Sequence, residues 1–558
     1  MCRRAVMSLF LVCSLAVPLS WLRGAESGGS IAGVVRDASG KPVAGATVKV
    51  RNNDRGVTVT VFSQAQGRYS ATNLLPGKYG VQGLGGNFQS DPNTAVEVSG
   101  TQAVTLHLAL ALRLDVQGPV SSSQLAKNRV LRNHLQHRHP QEGLTGSQLA
   151  ELVPDEPWRG TLISLCTDCH HTLFWIVPRR ASRAEWRTSI EVMRHTPYEF
   201  YRSLDITNQQ TDELADYLAK NFGPETPPPD LDRYLPRPWV TGEAAKGVFT
   251  EYDLPPGAEP HDVAVDSQGI GWVDEGGLGA FGAFDPRTRT YSRIPIPGGK
   301  SAPTAIGVDP QDRLWFEDRT QHKLVRYDPK TKTFKSWPFP TPPQGGWVQI
   351  NMVRFLRDGT VWMPQIRGNQ VLKFDPATEK FTQYPVPSGK LGEVQVYGMA
   401  IDKNQRVWFT ERRLSNKIGA LDPKTGEITE FDVPTPGANP RRMAADAEGQ
   451  IWFPEYGGVG KLAMSDYRTG KITEYPTPTK YSGAYCVDVD KKNNLIWVNE
   501  MLADKIARFD PRTKTFVEYP LPTRYSSVRR IEVDPNRPTR IWYTAMHADK
   551  VGYLEVAP

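Results

Sequence analysis

A tryptophan that follows a short apolar segment recurs at nearly constant spacing through the second half of the chain. Successive members are 43 to 47 residues apart, and they are Trp272, Trp315, Trp362, Trp408, Trp452, Trp497 and Trp542. A turn-opening aspartate recurs between them, at Asp285, Asp328, Asp375, Asp422, Asp466 and Asp510. Repeats of this length hold about four short strands and assemble radially as blades. Residues 247–558 are therefore predicted to form a seven-bladed β-propeller.

The two ends of the repeat array predict how the ring closes. Segment 248–252 resembles the segments that end later repeats, such as 428–431 and 516–519. The final repeat stops at 554–558 without its own copy of that segment. Because a closed ring leaves no long unpaired sheet edge, the first strand is expected to complete the last blade.

Equivalent repeat positions form rings around a propeller axis. Three residues beyond each tryptophan, mostly acidic side chains occur: Glu275, Asp318, Gln365, Glu411, Glu455, Glu500 and Ala545. A position on the inner strand carries His261, Thr304, Tyr397, Arg441, Tyr485 and Arg529. These two rings predict a polar funnel suited to a metal ion or to a small-molecule or glycan ligand. Alternatively, the acidic residues bind backbone amides of neighbouring blades.

A second motif, at residues 166–170, predicts covalent haem. Cys166 and Cys169 have the spacing at which both thiols attach to a porphyrin as thioethers, and His170 follows as the proximal iron ligand. A zinc site would need a second Cys or His pair, and the other cysteines, Cys2, Cys13 and Cys486, form none. A redox pair would not need the histidine, and no βαβ pattern surrounds the motif. Haem c is therefore the predicted cofactor.

Residues 158–223 are predicted to form a small helical haem domain. A capping-box pattern at Thr207 starts a helix that Gly223 ends, with apolar residues on one face. This helix resembles the carboxy-terminal helix of class I c-type cytochromes, which packs against the helix that carries the thiols. Met193 is the candidate sixth ligand, with His171 and His195 as alternatives. Met193 is otherwise a core residue.

Residues 28–112 alternate apolar and polar positions between turn signals, which predicts an antiparallel β-sandwich. Turn residues 37–42 and the segments 67–70 and 75–79 make this stretch resemble the carboxypeptidase regulatory-like domain, a carbohydrate-binding-like fold. The sequence shows no aromatic platform on which a sugar would stack. A spacer is therefore favoured over a lectin.

The remaining segments predict export and domain separation. Residues 1–25 join Arg3 and Arg4 to an apolar run, as in a secretory signal peptide, and an uncleaved leader would be a membrane anchor. Residues 113–157 form a connector whose histidines offer a distal haem ligand, a metal site or a solvated helix face: His134, His137 and His139. The proline-rich linker 224–239 is predicted to be stiff and to separate the haem domain from the propeller. A periplasmic or otherwise extracytoplasmic location is expected.

The propeller repeats resemble the streptogramin (virginiamycin B) lyase family, through runs such as 407–411 and 416–419. The resemblance implies magnesium-assisted elimination in a cyclic depsipeptide, with Glu259 and Glu275 holding Mg²⁺ and His261 as the base. The family uses a second histidine from the preceding blade. In ring order this chain has Arg529 there, and Ala545 at the acidic position.

Together these features predict a mainly β chain: an N-terminal β-sandwich, a small α-helical cytochrome c domain and a C-terminal propeller. The net charge of +7 is small for 558 residues and forms no concentrated basic face, which argues against nucleic-acid binding. The favoured function is an exported haem electron-transfer protein with a periplasmic partner, of the dehydrogenase type if the propeller binds a substrate. The alternatives are a magnesium-dependent C–O lyase with an appended cytochrome, or a carbohydrate- or protein-binding scaffold.

Overall fold

The computed structural model describes residues 28–112, 144–167, 172–195, 197–198, 201–202, 206–227, 237–341, 348–366, 368–388, 394–413 and 415–556. The architecture is mainly β, as predicted, with an N-terminal β domain, a helical layer and propeller-like C-terminal sheets. Within the described ranges, no helix combines the length and the apolar character needed to cross a bilayer.

The N-terminal domain is built from two sheets that pack around a shared apolar core. Ile31, Val48, Val59 and Val81 are among the side chains that fill its core. Its strands are Gly29–Arg36, Thr47–Asn52, Val57–Phe62, Arg68–Leu74, Gly77–Gly85, Phe88–Gln89, Ala95–Val98, Ala103–Thr105, Leu108–Ala109 and Ala111–Leu112, with a 3₁₀ turn at Ala65–Gly67. This two-sheet arrangement fits the predicted sandwich.

The helical layer begins within the predicted connector. Its helices are α1 (Gly146–Glu151), α2 (Trp158–Thr161), α3 (Leu173–Ile176), α4 (Arg183–His195) and α5 (Asn208–Phe222); a π-helical turn covers Leu162–Cys166, and two short strands cover Pro197–Tyr198 and Tyr201–Arg202. Helix α5 starts at the predicted capping box, in which Thr207 and Gln210 bind each other's backbone N–H groups. Helices α4 and α5 pack together, and Trp186 Nε1 donates to the carbonyl of Phe222 at 3.2 Å.

The C-terminal region contains seven radial sheets of four strands. Blades 1 to 3 are Val263–Val265, Gly271–Glu275, Ala280–Asp285 and Thr290–Pro295; Pro303–Val308, Leu314–Asp318, Lys323–Asp328 and Thr333–Pro338; and Arg354–Phe355, Val361–Gln365, Gln370–Asp375 and Lys380–Pro385. Blades 4 to 6 are Val394–Ile401, Val407–Arg413, Lys417–Leu421 and Ile428–Asp432; Ala444–Ala445, Ile451–Glu455, Lys461–Ser465 and Ile472–Pro476; and Ala484–Asp490, Leu495–Glu500, Lys505–Asp510 and Thr515–Pro520. Blade 7 is Ile531–Val533, Arg540–Ala545, Lys550–Glu555 and Val248–Asp253; 3₁₀ turns cover Gly242–Lys246 and Met546–Ala548.

The recurring tryptophans hold each blade together from inside. In four blades the indole Nε1 donates to an aspartate six residues earlier, at 2.8 to 3.0 Å, in the pairs Asp266–Trp272, Asp309–Trp315, Asp402–Trp408 and Asp446–Trp452. The aspartate also caps the turn between the first two strands, as Asp446 does for Gln450. This bond satisfies the only polar group of a large buried side chain, which explains why tryptophan and aspartate recur together.

Ring closure occurs as predicted, and the closing strand has a second partner. Val248–Asp253 pairs antiparallel with Lys550–Glu555 and so completes blade 7. Its other edge pairs antiparallel with Val57–Phe62 of the N-terminal domain. One continuous sheet therefore runs from the N-terminal domain into the propeller, and it covers what would be an exposed outer edge of blade 7.

The helical layer packs directly on the propeller. Leu149, Ile163 and Leu214 share a buried core cluster with Tyr485 and Leu502 of the blades. Ser147 donates through its backbone N–H to the Leu502 carbonyl at 2.9 Å. The predicted separation of the haem domain from the propeller is therefore wrong, because burial of apolar surface holds the two parts together.

Candidate functional site at the propeller axis

The first strands of the blades bring one side chain each to the axis. These residues lie three positions before the residue that pairs with the blade's tryptophan, and we call them the axial ring: His261, Thr304, Asn351, Tyr397, Arg441, Tyr485 and Arg529. Six of the seven were identified from the sequence. Asn351 was missed because blade 3 has Leu356 where the other six blades have an aspartate five residues beyond the ring position, although the tryptophan spacing locates it.

Arginine and tyrosine side chains interlock in one half of the axial ring. The Arg441 guanidinium lies over the rings of Tyr397, Tyr456 and Tyr485, at 5.2, 4.6 and 5.1 Å from their centroids. The Tyr397 and Tyr485 hydroxyls are hydrogen-bonded, and Arg529 Nη1 donates to the Tyr485 hydroxyl at 3.3 Å. Burial raises the pKa of Tyr485, so its phenol stays neutral at physiological pH. Cationic and aromatic groups therefore dominate this half.

A buried ion pair crosses the axis beneath the ring. Asp262 and Arg442 have fully buried side chains and form a salt bridge between blades 1 and 5. Although burial alone would raise it, Arg442 and His261 hold the pKa of Asp262 well below its usual value. The pair fixes the relative position of two blades that are distant in sequence.

His261 is a neutral base beside this pair. Burial lowers the pKa of His261 to about 4, against the opposing effect of Asp262. Its Nδ1 lies 3.2 Å from Asp262 Oδ2, and Asp274 Oδ1 accepts from its backbone N–H at 2.7 Å. Burial, together with the charge of Asp262, raises the pKa of Asp274 well above its usual value. At neutral pH, the His261 imidazole is therefore uncharged.

The predicted magnesium ligands are not gathered around His261. Among the described residues, the compact cluster of metal-ligating side chains is His261, Asp262 and Asp274, whose ligand atoms lie within 4.8 Å of one another. Both oxygens of Glu275 are engaged elsewhere, by Tyr291 at 2.7 Å and by Arg293 at 2.6 Å. The backbone N–H of Glu259 donates to Asp549 at 2.9 Å.

The acidic residues beyond the tryptophans do not form a ring around the axis, so that prediction is wrong. In several blades they pack beside a glutamate of the outermost strand, as in the pairs Glu411–Glu430, Glu455–Glu474 and Glu500–Glu518. The outer glutamate then accepts from the loop of the preceding blade, as Glu474 does from Thr435 at 2.8 and 3.0 Å. These carboxyl groups anchor blade edges.

The haem-motif segment lies over the same end of the axis. Thr167, the second residue of the motif, is fully buried, and its hydroxyl lies 2.7 Å from the Tyr456 hydroxyl. Tyr456 also donates to the Thr167 carbonyl at 3.0 Å, and Asn439 Nδ2 donates to the Ser164 carbonyl at 2.9 Å. The Tyr456 side chain therefore contacts both Thr167 of the motif and Arg441 of the axial ring.

The predicted haem ligands are only partly within the described residues. Cys166 ends the π-helical turn and is half-buried, whereas Cys169, His170 and His171 lie outside the described residues. Leu165, Cys166, Phe174 and Met193 are half-buried and pack on one core cluster. Such a partly exposed apolar surface beside a thiol suits the apolar face of a porphyrin, so these residues fit haem c. The His195 side chain is 74% exposed and pairs with Glu191.

Two models of known protein families match the two β regions of the chain. The model of the Virginiamycin B lyase family matches residues 289–557, and that of the Carboxypeptidase regulatory-like domain matches residues 30–111. A search of curated proteins found no match. The helical layer lies between the two matched segments.

Two solved structures share the propeller fold. The selenomethionine-substituted virginiamycin B lyase from Staphylococcus aureus is 22% identical, with a TM-score of 0.50, over 56% of this chain and 100% of its own. A streptogramin B lyase is 23% identical, with a TM-score of 0.51, over 57% of this chain and 100% of its own. At these identities the similarity establishes the fold of the propeller and leaves its chemistry open. The chain is thus similar to the Carboxypeptidase regulatory-like domain over residues 30–111 and to the Virginiamycin B lyase family over residues 289–557.

Proposed function

We propose that this protein is an exported c-type haem protein that exchanges electrons with a ligand or partner at the propeller axis. Cys166 and Cys169 would hold the haem covalently, and His170 and Met193 would bind its iron. The supporting observation is the pair of hydrogen bonds between Thr167, inside the motif, and Tyr456, beside the axial ring. A haem attached there would lie next to the funnel.

The haem, when bound, supplies one-electron chemistry, and the chain's own residues supply its surroundings. Tyr456 orients the thiol-bearing segment, and the apolar residues around Cys166 exclude water. Arg441 and Arg529 place positive charge close to the motif, which stabilises a bound anion and disfavours a cation. His261, neutral at pH 7, accepts a proton from a ligand on the opposite side of the ring.

The second candidate is a magnesium-dependent lyase, which the fold and the neutral His261 favour. In that function Glu259 and Glu275 would bind Mg²⁺ and His261 would remove a carbon-bound proton. The bonds from Tyr291 and Arg293 to Glu275 weigh against it, because metal binding would have to displace the two partners of this buried carboxylate.

The two functions are separated by the visible spectrum of the full-length protein, produced with haem maturation, during incubation with candidate substrates with and without Mg²⁺. Haem reduction by a candidate substrate supports the electron-transfer function. A protein without covalent haem, or a haem that stays oxidised while a cyclic depsipeptide is consumed, overturns it. The double variant C166S/C169S serves as the haem-free control.

A further inference from the structure

Hydrogen bonds and a ring contact join the helical layer to blades 5, 6 and 7 of the propeller. Asn439 and Tyr456 belong to blade 5, Tyr481 and Leu502 to blade 6, and Tyr525 to blade 7, where it meets Phe174 edge to face. The His261 side chain of blade 1 remains 15% exposed. His261 is the partly exposed side chain of the axial ring, so a ligand would approach the axis from blade 1.

A second ring of residues lies beside the axial ring, and three of its side chains, those of Arg319, Arg412 and Tyr456, contact it. Its members follow each tryptophan by four residues, and they are Gly276, Arg319, Ile366, Arg412, Tyr456, Met501 and Met546. Arg319 Nη2 donates to the Thr304 hydroxyl at 3.1 Å, and the Arg412 guanidinium lies 4.3 Å from the Tyr397 ring centroid. We call the two rings together the axial mouth.

The composition of the axial mouth selects the charge of its ligand. Its fourteen positions include four arginines (Arg319, Arg412, Arg441 and Arg529) and no aspartate or glutamate. The nearby acid Asp262 already pairs with Arg442. Guanidinium groups in partly desolvated surroundings bind carboxylates and other oxyanions through charge-assisted hydrogen bonds. A divalent cation would meet repulsion from the same groups.

Asn351 independently indicates a ligand at this place. Its side chain is 2% exposed, yet neither Oδ1 nor Nδ2 has a hydrogen-bond partner in the part of the chain that the structure describes. Burying an unbonded amide costs about 1–3 kcal/mol, so such a group is normally satisfied by a ligand or by water.

A second unbonded atom lies on the same side of the mouth. Glu317 accepts from the backbone N–H of Ile350 at 3.1 Å through Oε2, while its Oε1 is buried without a partner among the described residues. Burial raises the pKa of Glu317 to about 8, so at neutral pH it carries a proton that it can donate. Asn351 and Glu317 thus offer donors from blades 3 and 2, in addition to Arg441 of blade 5.

We propose that the axial mouth binds a small oxyanion, held by Arg319 and Arg441 and by the Asn351 amide. The ligand class is a low-molecular-weight carboxylate or an inorganic oxyanion. Both carry charged oxygen atoms, in a planar or tetrahedral group, that accept hydrogen bonds from arginine and amide N–H groups. This deepens the proposed function, because it names the substrate class at the axis. The binding itself requires no haem.

The test is calorimetric titration of the oxidised, haem-loaded, full-length protein with sodium acetate, sodium sulfate and magnesium chloride at constant ionic strength. Saturable binding of acetate or sulfate is expected. The anion that binds shows whether the ligand is a carboxylate or an inorganic oxyanion. Binding of Mg²⁺ with neither anion overturns the proposal.

Two variants locate the binding. N351L and R319Q should each weaken anion binding at least tenfold, and R357Q, at an exposed turn of blade 3, should leave it unchanged. N351L should also unfold at the same or a higher temperature in anion-free buffer, because an unbonded amide is removed. Wild-type anion affinity in N351L overturns the assignment.

The haem-free variant C166S/C169S distinguishes this proposal from the proposed function. Unchanged anion binding in that variant supports an oxyanion site that belongs to the propeller. Loss of anion binding in a folded haem-free protein overturns a haem-independent site, and absence of haem from the wild type overturns the electron-transfer function alone.

Discussion

The hydroxyl of Thr167 lies 2.7 Å from the hydroxyl of Tyr456, although 289 residues separate them. Thr167 belongs to the thiol-bearing segment, and Tyr456 follows the second strand of blade 5. Because Tyr456 also stacks against Arg441, the contact connects the helical layer to the axial ring. Tyr456 thus links the segment proposed to carry haem to the axial ring.

Replacing Tyr456 with phenylalanine should loosen this connection. The variant removes both hydrogen bonds to Thr167 while keeping the ring, so it should cost about 1–3 kcal/mol of unfolding free energy. The haem reduction potential should shift and cleavage of the helical layer by protease should accelerate. Y384F, in the outermost strand of blade 3, is the control. A potential and cleavage rate equal to wild type would show that the contact does not position the segment.

Met193 gives a spectroscopic prediction for the haem-loaded protein. M193A should lose the low-spin spectrum of a methionine-ligated haem, because the thioether is the proposed second axial ligand. H195A should retain it, since the His195 side chain is 74% exposed and pairs with Glu191. An unchanged spectrum in M193A would assign the ligand to another residue.

Removing one partner of the Asp262–Arg442 pair should lower the unfolding free energy strongly, whereas removing the charge of both should not. R442M should lower the unfolding free energy by about 3–5 kcal/mol, because it leaves the fully buried Asp262 carboxylate without its cation. The double variant D262N/R442M should recover most of the loss. R287A, whose side chain is 67% exposed, should change stability by less than about 1 kcal/mol. Chemical denaturation measures the unfolding free energy of all three variants.

The buried glutamates of blades 4 and 5 predict a stability that falls as the pH rises. Burial, reinforced by Glu430 and Glu474, raises the pKa of Glu411 and of Glu455 to about 8. Between the ordinary glutamate pKa and about pH 8, the folded state therefore binds more protons than the unfolded state. The unfolding free energy should decrease across that window, by up to about 1.4 kcal/mol per pH unit for each group.

Thermal unfolding from pH 5 to pH 9 checks this dependence. E455Q should flatten it, since a neutral amide does not ionise, whereas E427Q, at an exposed turn, should follow the wild type. A stability that increases across the window would contradict the assignment of protonated Glu411 and Glu455.

Gly398 permits the close approach of two first strands at the axis. A Cβ at this position would lie 2.2 Å from the Arg441 carbonyl oxygen and 2.9 Å from the Arg442 Cα. G398A should therefore displace the segment that carries both arginines, with a loss of about 2 kcal/mol or more of unfolding free energy. Anion affinity should fall with it. G80A, where no atom lies within 4 Å of the added carbon, is the matched control in denaturation and titration.

The amino-acid sequence by itself determined the features that depend on local pattern. The tryptophan spacing gave the blade number, the Thr207–Gln210 pair located the start of helix α5, and the missing last strand predicted ring closure. These succeed because a period, a helix cap or a turn is set by residues close together in the chain. The inner-strand ring also followed from the repeat, since equivalent positions meet at an axis.

Tertiary structure alone decided where polar side chains find their partners. Glu455 turned to Glu474 of its own outermost strand rather than to the axis, and Asn351 proved to be buried without a described partner. The closing strand Val248–Asp253 gained a second neighbour from the N-terminal domain, and Thr167 met Tyr456. Each outcome depends on atoms hundreds of residues apart, because a buried polar group adopts the direction in which folding places a partner.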